Sequence, residues 1–484
     1  MVLQSSASSP RTRTLCAVRV RPFRVRSNPH ISVRRGSQSG QGPRRGRGSA
    51  RDTGPRPRDA DRPSSSAVTR LSRGGSAGIV EIVPEDQVLP PVVTSRADAL
   101  ALGRELADEF TSVAVSLDAE GTAPFDEVRR LRATGLLPAA IPASLGGGGL
   151  DWPTIFETIR PLARVDAGLG HVVAYHFLQS WRIRLNEETA RIEALQRRSA
   201  ERHWFWGGAG NPRDATLELT PVDGGFTVRG RKFFATGAQV SDRIVASATR
   251  TDDDEKYAIV IDAHLPEVVH HDDWDNIGQR LSASGSVSFE DAFVPDEHVL
   301  GPSEQAGARY RPYASLSGLS FQLALAHLQV AIAEGALAVA ADYVRNGTRP
   351  WGTSGVDRAV DDPYIRELTG RLASATRASD ALVWRATDLF AAAEEKGWEL
   401  GDDERGELSI ELSAAKVETS RLALDVSSRV FDLTGARATA SRYGFDRFWR
   451  NARTLTLHDP AVYKAREVGD RLLTGEFPEP SGYS

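Results

Sequence analysis

Cysteine occurs once in the 484 residues, at Cys16, and lysine five times among 60 basic residues. One cysteine excludes a disulfide framework and any cysteine-based metal site in the body of the chain, and no other residue pattern calls for a metal. No run of about 18 apolar residues is apparent, so no membrane span is expected and the protein is read as cytoplasmic. Acidic residues are missing before Asp52. From Met1 to Val80 there are 17 arginines, no lysine and three aspartates, a charge of +14, whereas the whole chain carries −4. An acidic body of −18 therefore follows a basic tail. Such a tail fits an organelle-targeting peptide, a nucleic-acid-binding arm, or a disordered extension or a start site placed too far upstream. The last reading is preferred, because so little hydrophobicity cannot offset the entropy of ordering. Nucleic acid is accordingly not the expected partner.

What is present is helical periodicity interrupted by one β-rich stretch. Apolar spacing predicts a helix over 96–118 with Asp98 as N-cap, and a second over 125–137 ended by Pro138. Asp151-Trp152-Pro153 opens a third helix with proline in its first turn. A fourth follows Asp166. Short alternating runs at 216–220, 226–229, 243–249, 257–261 and 286–289, separated by turn clusters, predict a compact antiparallel β domain. Helical spacing returns over Leu316–Asn346, Pro363–Lys396, 403–434 and 460–473, which reads as a four-helix bundle. The expected organisation is a tail at 1–94, a helical domain at 95–202, a β domain at 203–302 and a helical bundle at 303–484: mainly α with a central β domain (α+β).

Near the C-terminus, Arg450-Asn451-Ala452-Arg453 precedes Leu457-His458-Asp459-Pro460. This frame resembles the acyl-CoA dehydrogenases, in which an Arg-Asp-Ala-Arg/Lys segment leads to Ile-Tyr-Glu-Gly and the Glu is the base in many members. Here the base is replaced. Further segments carry the resemblance: Gly170-His171-Val172-Val173-Ala174-Tyr175-His176, Gly230-Arg231-Lys232-Phe233-Phe234-Ala235-Thr236-Gly237-Ala238, Asp272-Asp273-Trp274, Thr348-Arg349-Pro350-Trp351 and Arg442-Tyr443-Gly444-Phe445-Asp446-Arg447-Phe448-Trp449. Together they are similar to the dibenzothiophene monooxygenase branch of two-component, reduced-flavin-dependent oxygenases, from about residue 98 to the end.

The resemblance implies an acyl-CoA dehydrogenase-like fold and a homotetramer. It implies reduced FMN delivered by a separate NAD(P)H:flavin reductase, and O2 activated as a flavin C4a-hydroperoxide. The substrate would be an organosulfur or related aromatic molecule. A turn at Gly435-Ala436-Arg437 with few glycines favours FMN over FAD. His171 and Tyr175 lie four apart, on one helix face, and the resemblance puts both at the flavin–substrate pocket; a core His–Tyr pair is the plain alternative. His458 and Thr236 are implied as catalytic with His171, Thr236 at the flavin edge. Tyr175, Arg349, Trp351 and Asn451 are implied as cofactor-binding, with Arg349 on the flavin phosphate from across a subunit interface. Phe234 and Trp274 are implied as pocket walls beside His171 and His458. Asp459 is read as a cap for the following helix in preference to a base. Gly208 stands where relatives carry an Asn, for which Asn211 is a substitute. Two rivals stay open at this point: an FAD-dependent acyl-CoA dehydrogenase using Asp459, and a flavin-free scaffold whose tail binds nucleic acid.

Overall fold

The computed structural model describes residues 88–483 apart from 304 and 306. The expected disordered tail falls, over 1–87, outside the described residues. Its last part does not: Val93 is buried and its N–H donates to Gly135 O at 3.0 Å.

Among the described residues six α-helices come first: α1 (Arg96–Thr111), α2 (Ala114–Glu120), α3 (Phe125–Arg132), α4 (Trp152–Val165), α5 (Ala167–Arg182) and α6 (Thr189–Arg202). Their starts follow from capping chemistry. Ser95, not Asp98, is the N-cap of α1: its hydroxyl accepts from Asp98 N at 3.1 Å, and Asp98 returns the contact from the third helical position. Asp151 caps α4 through Thr154 N, with Pro153 in the first turn, and Asp166 caps α5 through Gly168 N and Leu169 N.

Eight strands follow: β1 (Trp206–Ala209), β2 (Leu217–Val222), β3 (Gly225–Lys232), β4 (Arg243–Arg250), β5 (Lys256–Asp262), β6 (Val268–His270), β7 (Val287–Pro295) and β8 (Val299–Pro302). They form one sheet in the order β6-β7-β3-β2-β4-β5-β8, with β1 also on β4. The expected antiparallel sheet is in fact mixed, because both β1 and β2 run parallel to β4. A tight turn joins β2 to β3, whereas the chain must travel from β1 to β2 and on through β3 before reaching β4, and those longer connections permit parallel pairing.

The bundle is α7 (Leu316–Asn346), α8 (Pro363–Lys396), α9 (Asp402–Thr434), α10 (Asp446–Leu455) and α11 (Ala461–Thr474). Helix α7 is long and apolar enough to cross a membrane, but 78% of its most apolar stretch is buried inside the protein. It is the core helix, packed on α4, α5, α8 and α9. Helix α10, hidden in sequence by its arginines, buries Phe448, Asn451, Ala452 and Leu455 against the core.

Candidate active site

The site is built on α5. His171 and Tyr175 do share a face: their rings meet edge-on at 4.2 Å, and Tyr175 leans on Phe321 of α7 at 4.8 Å. Neither ring hydrogen-bonds the other. His171 Nδ1 instead meets Gln279 Oε1 at 3.0 Å, while its Nε2 is buried with no hydrogen-bond partner. The Gln279 amide nitrogen donates to Asn451 O (3.4 Å), so its oxygen is left to accept the proton on His171 Nδ1. That fixes the tautomer, with a lone pair on Nε2. Burial holds the imidazole neutral, pushing its pKa down to about 3. A buried acceptor without a donor calls for a ligand that brings one.

Gln279 is the residue that pattern-reading missed. Its backbone N–H donates to Asn451 Oδ1 (2.5 Å), and its carbonyl accepts from Trp274 Nε1 (2.8 Å). It has a φ of 57°. Gly278 permits the approach, since a Cβ there would sit 2.0 Å from Arg450 O. Asn451, expected to touch cofactor, is held by protein at both ends of its amide: Oδ1 accepts from Gln279 N and Nδ2 donates to Asp166 Oδ2 at 3.2 Å. It is a positioning residue for Gln279, and so for His171.

The same segment holds Thr236. Buried hydroxyls run Thr236 Oγ1–Ser284 Oγ (2.9 Å) and Ser284 Oγ–Ser282 Oγ (2.7 Å). Gly237 sets this strand end against α5: with φ at 72°, its added Cβ would lie 3.1 Å from Val172. Residues 279–284 thus brace His171 at one end and Thr236 at the other.

His458 lies on the bundle side, between α10 and α11. Its Nδ1 meets Asp459 Oδ1 at 3.1 Å, and its ring faces Tyr483 edge-on at 5.9 Å. Asp459 does not cap α11, whose N-cap is Pro460 without a side-chain bond. The same Oδ1 accepts from Lys416 Nζ at 3.0 Å, a fully buried lysine of α9. Burial pushes the Asp459 carboxyl up, but the His458 bond and the Lys416 charge outweigh it and hold the group well below the usual carboxylate range. A carboxylate kept ionised in this way is a weak base, which disfavours proton abstraction from an acyl thioester.

Phe234 and Trp274 meet edge-on at 6.0 Å, and Phe234 is 63% exposed in the single chain. Arg349 and Trp351 are exposed beyond the C-terminal end of α7. From Phe321, beside Tyr175, to the end of α7 is about 37 Å at 1.5 Å per residue, so Arg349 lies far from His171 of the same chain. Asn211 is no substitute for a pocket asparagine: it is tied to its own loop through Asp214 Oδ1 (2.9 Å) and Arg213 N (3.1 Å).

The chain matches the acyl-CoA dehydrogenase N-terminal domain over residues 101–185 and the C-terminal domain over residues 323–462. It is 36% identical to a dibenzothiophene monooxygenase of Rhodococcus erythropolis, over 82% of this chain and 98% of that protein. It is 38% identical to a probable FMNH2-dependent monooxygenase, SfnC, of Pseudomonas putida, over 81% and 99%. The solved structure of FMN-bound TdsC from Paenibacillus sp. A11-2 superposes with a TM-score of 0.74 at 34% identity, covering 80% of this chain and all of that one. On this likeness the chain belongs to the acyl-CoA dehydrogenase superfamily, in its dibenzothiophene monooxygenase-like branch of reduced-flavin-dependent monooxygenases.

Proposed function

We propose that this protein is the oxygenase half of a two-component system in the cytoplasm, receiving FMNH2 from a separate reductase and oxygenating an organosulfur or related aromatic compound. The observation that carries the reading is His171: neutral, oriented by Gln279, with a buried acceptor nitrogen turned to no protein donor. These residues fit reduced FMN, which offers N–H donors on a flat apolar body. When bound, it supplies the electrons that activate O2 for oxygen transfer.

The chain's own residues orient and protect. Tyr175 and Phe321 give an aromatic surface beside His171. Thr236 presents a hydroxyl fixed by Ser284. His458, with Nδ1 on Asp459, keeps Nε2 for a proton at the site. A largely dry wall of this kind limits side reactions with water. A homotetramer completes the site in this reading: a neighbouring copy brings Arg349 to the flavin phosphate, and the exposed Val462, Leu472 and Leu473 of α11 supply apolar surface for association.

The test is to supply FMN, NADH and a flavin reductase with dibenzothiophene and simple thioethers, and to look for sulfoxide. Oxygenated product dependent on this protein supports the reading. Hydrogen peroxide alone with every sulfur compound, and FMNH2 bound no better than FMN, defeats it.

A further inference from the structure

Helix α5 carries one more side chain along the stripe of His171 and Tyr175. Arg182 follows Tyr175 by seven residues, two turns or about 10 Å along the axis. Its guanidinium lies over Phe321 at 5.7 Å, and Phe321 is the ring against which Tyr175 leans. Tyr175, Phe321 and Arg182 are therefore consecutive along one wall.

Arg182 has no carboxylate partner among the described residues. Its hydrogen bond to protein is a single long one, Nη1 to Gln179 Oε1 at 3.3 Å. Arg184, two residues further, is ion-paired with Glu394 at 3.0 Å, and Arg160 of α4 has both Glu334 and Asp380. Burial alone, with no neighbouring charge opposing it, pushes the Arg182 pKa down to about 10. A half-buried guanidinium with no anion beside it is a ready receptor for a ligand that supplies one. Its remaining N–H groups are not sealed in by protein. Gly210 lies close against it: an added Cβ there would come to 3.2 Å from Nη1, tighter than an ordinary contact, so only glycine leaves the guanidinium undisturbed on that side.

We propose that Arg182 is a specificity-determining residue that receives an anionic group of the substrate, so that the compound oxidised is an organosulfur anion carrying a carboxylate, sulfinate or sulfonate away from the sulfur to be oxygenated. A planar five-donor fork suits such oxyanions, and Phe321 suits an apolar linker between the two ends. The inference rests on the oxygenase reading for the identity of the site. The same oxyanion chemistry is offered by the flavin phosphate, and the experiment separates the two.

The full-length protein is titrated by calorimetry with 4-(methylthio)benzoate and with thioanisole, which differ by the carboxylate. The wild type binds the benzoate tighter, by about tenfold or more. Arg182→Met, similar in length and without charge, abolishes that difference and leaves thioanisole unaffected, while Arg182→Lys keeps part of it. FMN and riboflavin are titrated in parallel, and Arg182→Met leaves both unchanged. Equal binding of the two thioethers by the wild type, or a preference that survives Arg182→Met, overturns the proposal. So does a loss of FMN affinity with riboflavin spared, which assigns Arg182 to the flavin phosphate. A carboxylate preference without oxygenation of either thioether defeats the oxygenase reading and leaves the anion subsite standing. Matching thermal melting points for the variants and the wild type keep misfolding out of the comparison.

Discussion

Gln279 and His171, 108 residues apart in sequence, meet at 3.0 Å, and the contact decides which imidazole nitrogen faces the site. Because Gln279 also holds Asn451 and Trp274, a change at Asn451 reaches His171 without touching any ligand.

Replacing Gln279 with Met keeps the volume and removes the acceptor. Oxygenated product per FMNH2 consumed is expected to fall about tenfold, the scale of one lost oriented hydrogen bond, with peroxide rising to match. Asn451→Leu should give the same uncoupling. Product yields equal to the wild type in both variants would remove Gln279 from the account.

Thr236→Val strips one hydroxyl from the chain that Ser284 and Ser282 complete. Uncoupling is expected here too, and Ser284→Ala, which leaves Thr236 in place but unoriented, should show a smaller effect in the same direction. An effect of Ser284→Ala larger than that of Thr236→Val would reverse the assigned order.

Lys416 and Asp459 form a buried pair, and removing one partner strands the other. Lys416→Met should cost about 3–5 kcal/mol in urea unfolding at pH 7.5. The double variant Lys416→Met/Asp459→Asn should recover most of that loss, because no lone charge is left. If the single variant unfolds at the wild-type midpoint, the pair is not the buried ion pair described.

Acid should weaken the fold before its carboxylates titrate. His176 donates from Nε2 to Leu137 O at 2.9 Å and accepts from Trp206 N at Nδ1, so it is buried as a neutral ring, with burial pushing its pKa down to about 4. His171 is held at about 3. An unfolded histidine, near 6.5, binds its proton first, so stability is present above about pH 6.5 and is lost as pH falls from there towards 4. At pH 5 the loss is up to about 2 kcal/mol for each ring. Thermal melting points between pH 7.5 and 5 should fall; a flat or rising trend would contradict the neutral assignment.

The long elements were legible because their signals are local. Leu316–Asn346 and Pro363–Lys396 have helical spacing bounded by Gly347 and Asp362-Pro363, and both occur with those bounds. The placement of His171 and Tyr175 on one face followed from their spacing. What sequence did not show is contact across distance. The bonds of Asn451 to Gln279 and Asp166 were not legible because those partners lie 172 and 285 positions away. Asp459 looked like a cap because Lys416, which holds it, sits on another helix. The parallel pairing of β1 and β2 with β4 was hidden for the same reason, since alternation reports a strand and not the direction of its neighbour.

The most direct measurement is a single turnover. Protein loaded anaerobically with FMNH2 is mixed with 18O2 and a thioether, and the product is weighed by mass spectrometry. One labelled oxygen in the sulfoxide, in near-equal amount to the FMNH2 consumed, is the predicted result. Unlabelled or absent sulfoxide, with all the flavin electrons recovered as hydrogen peroxide, would contradict it.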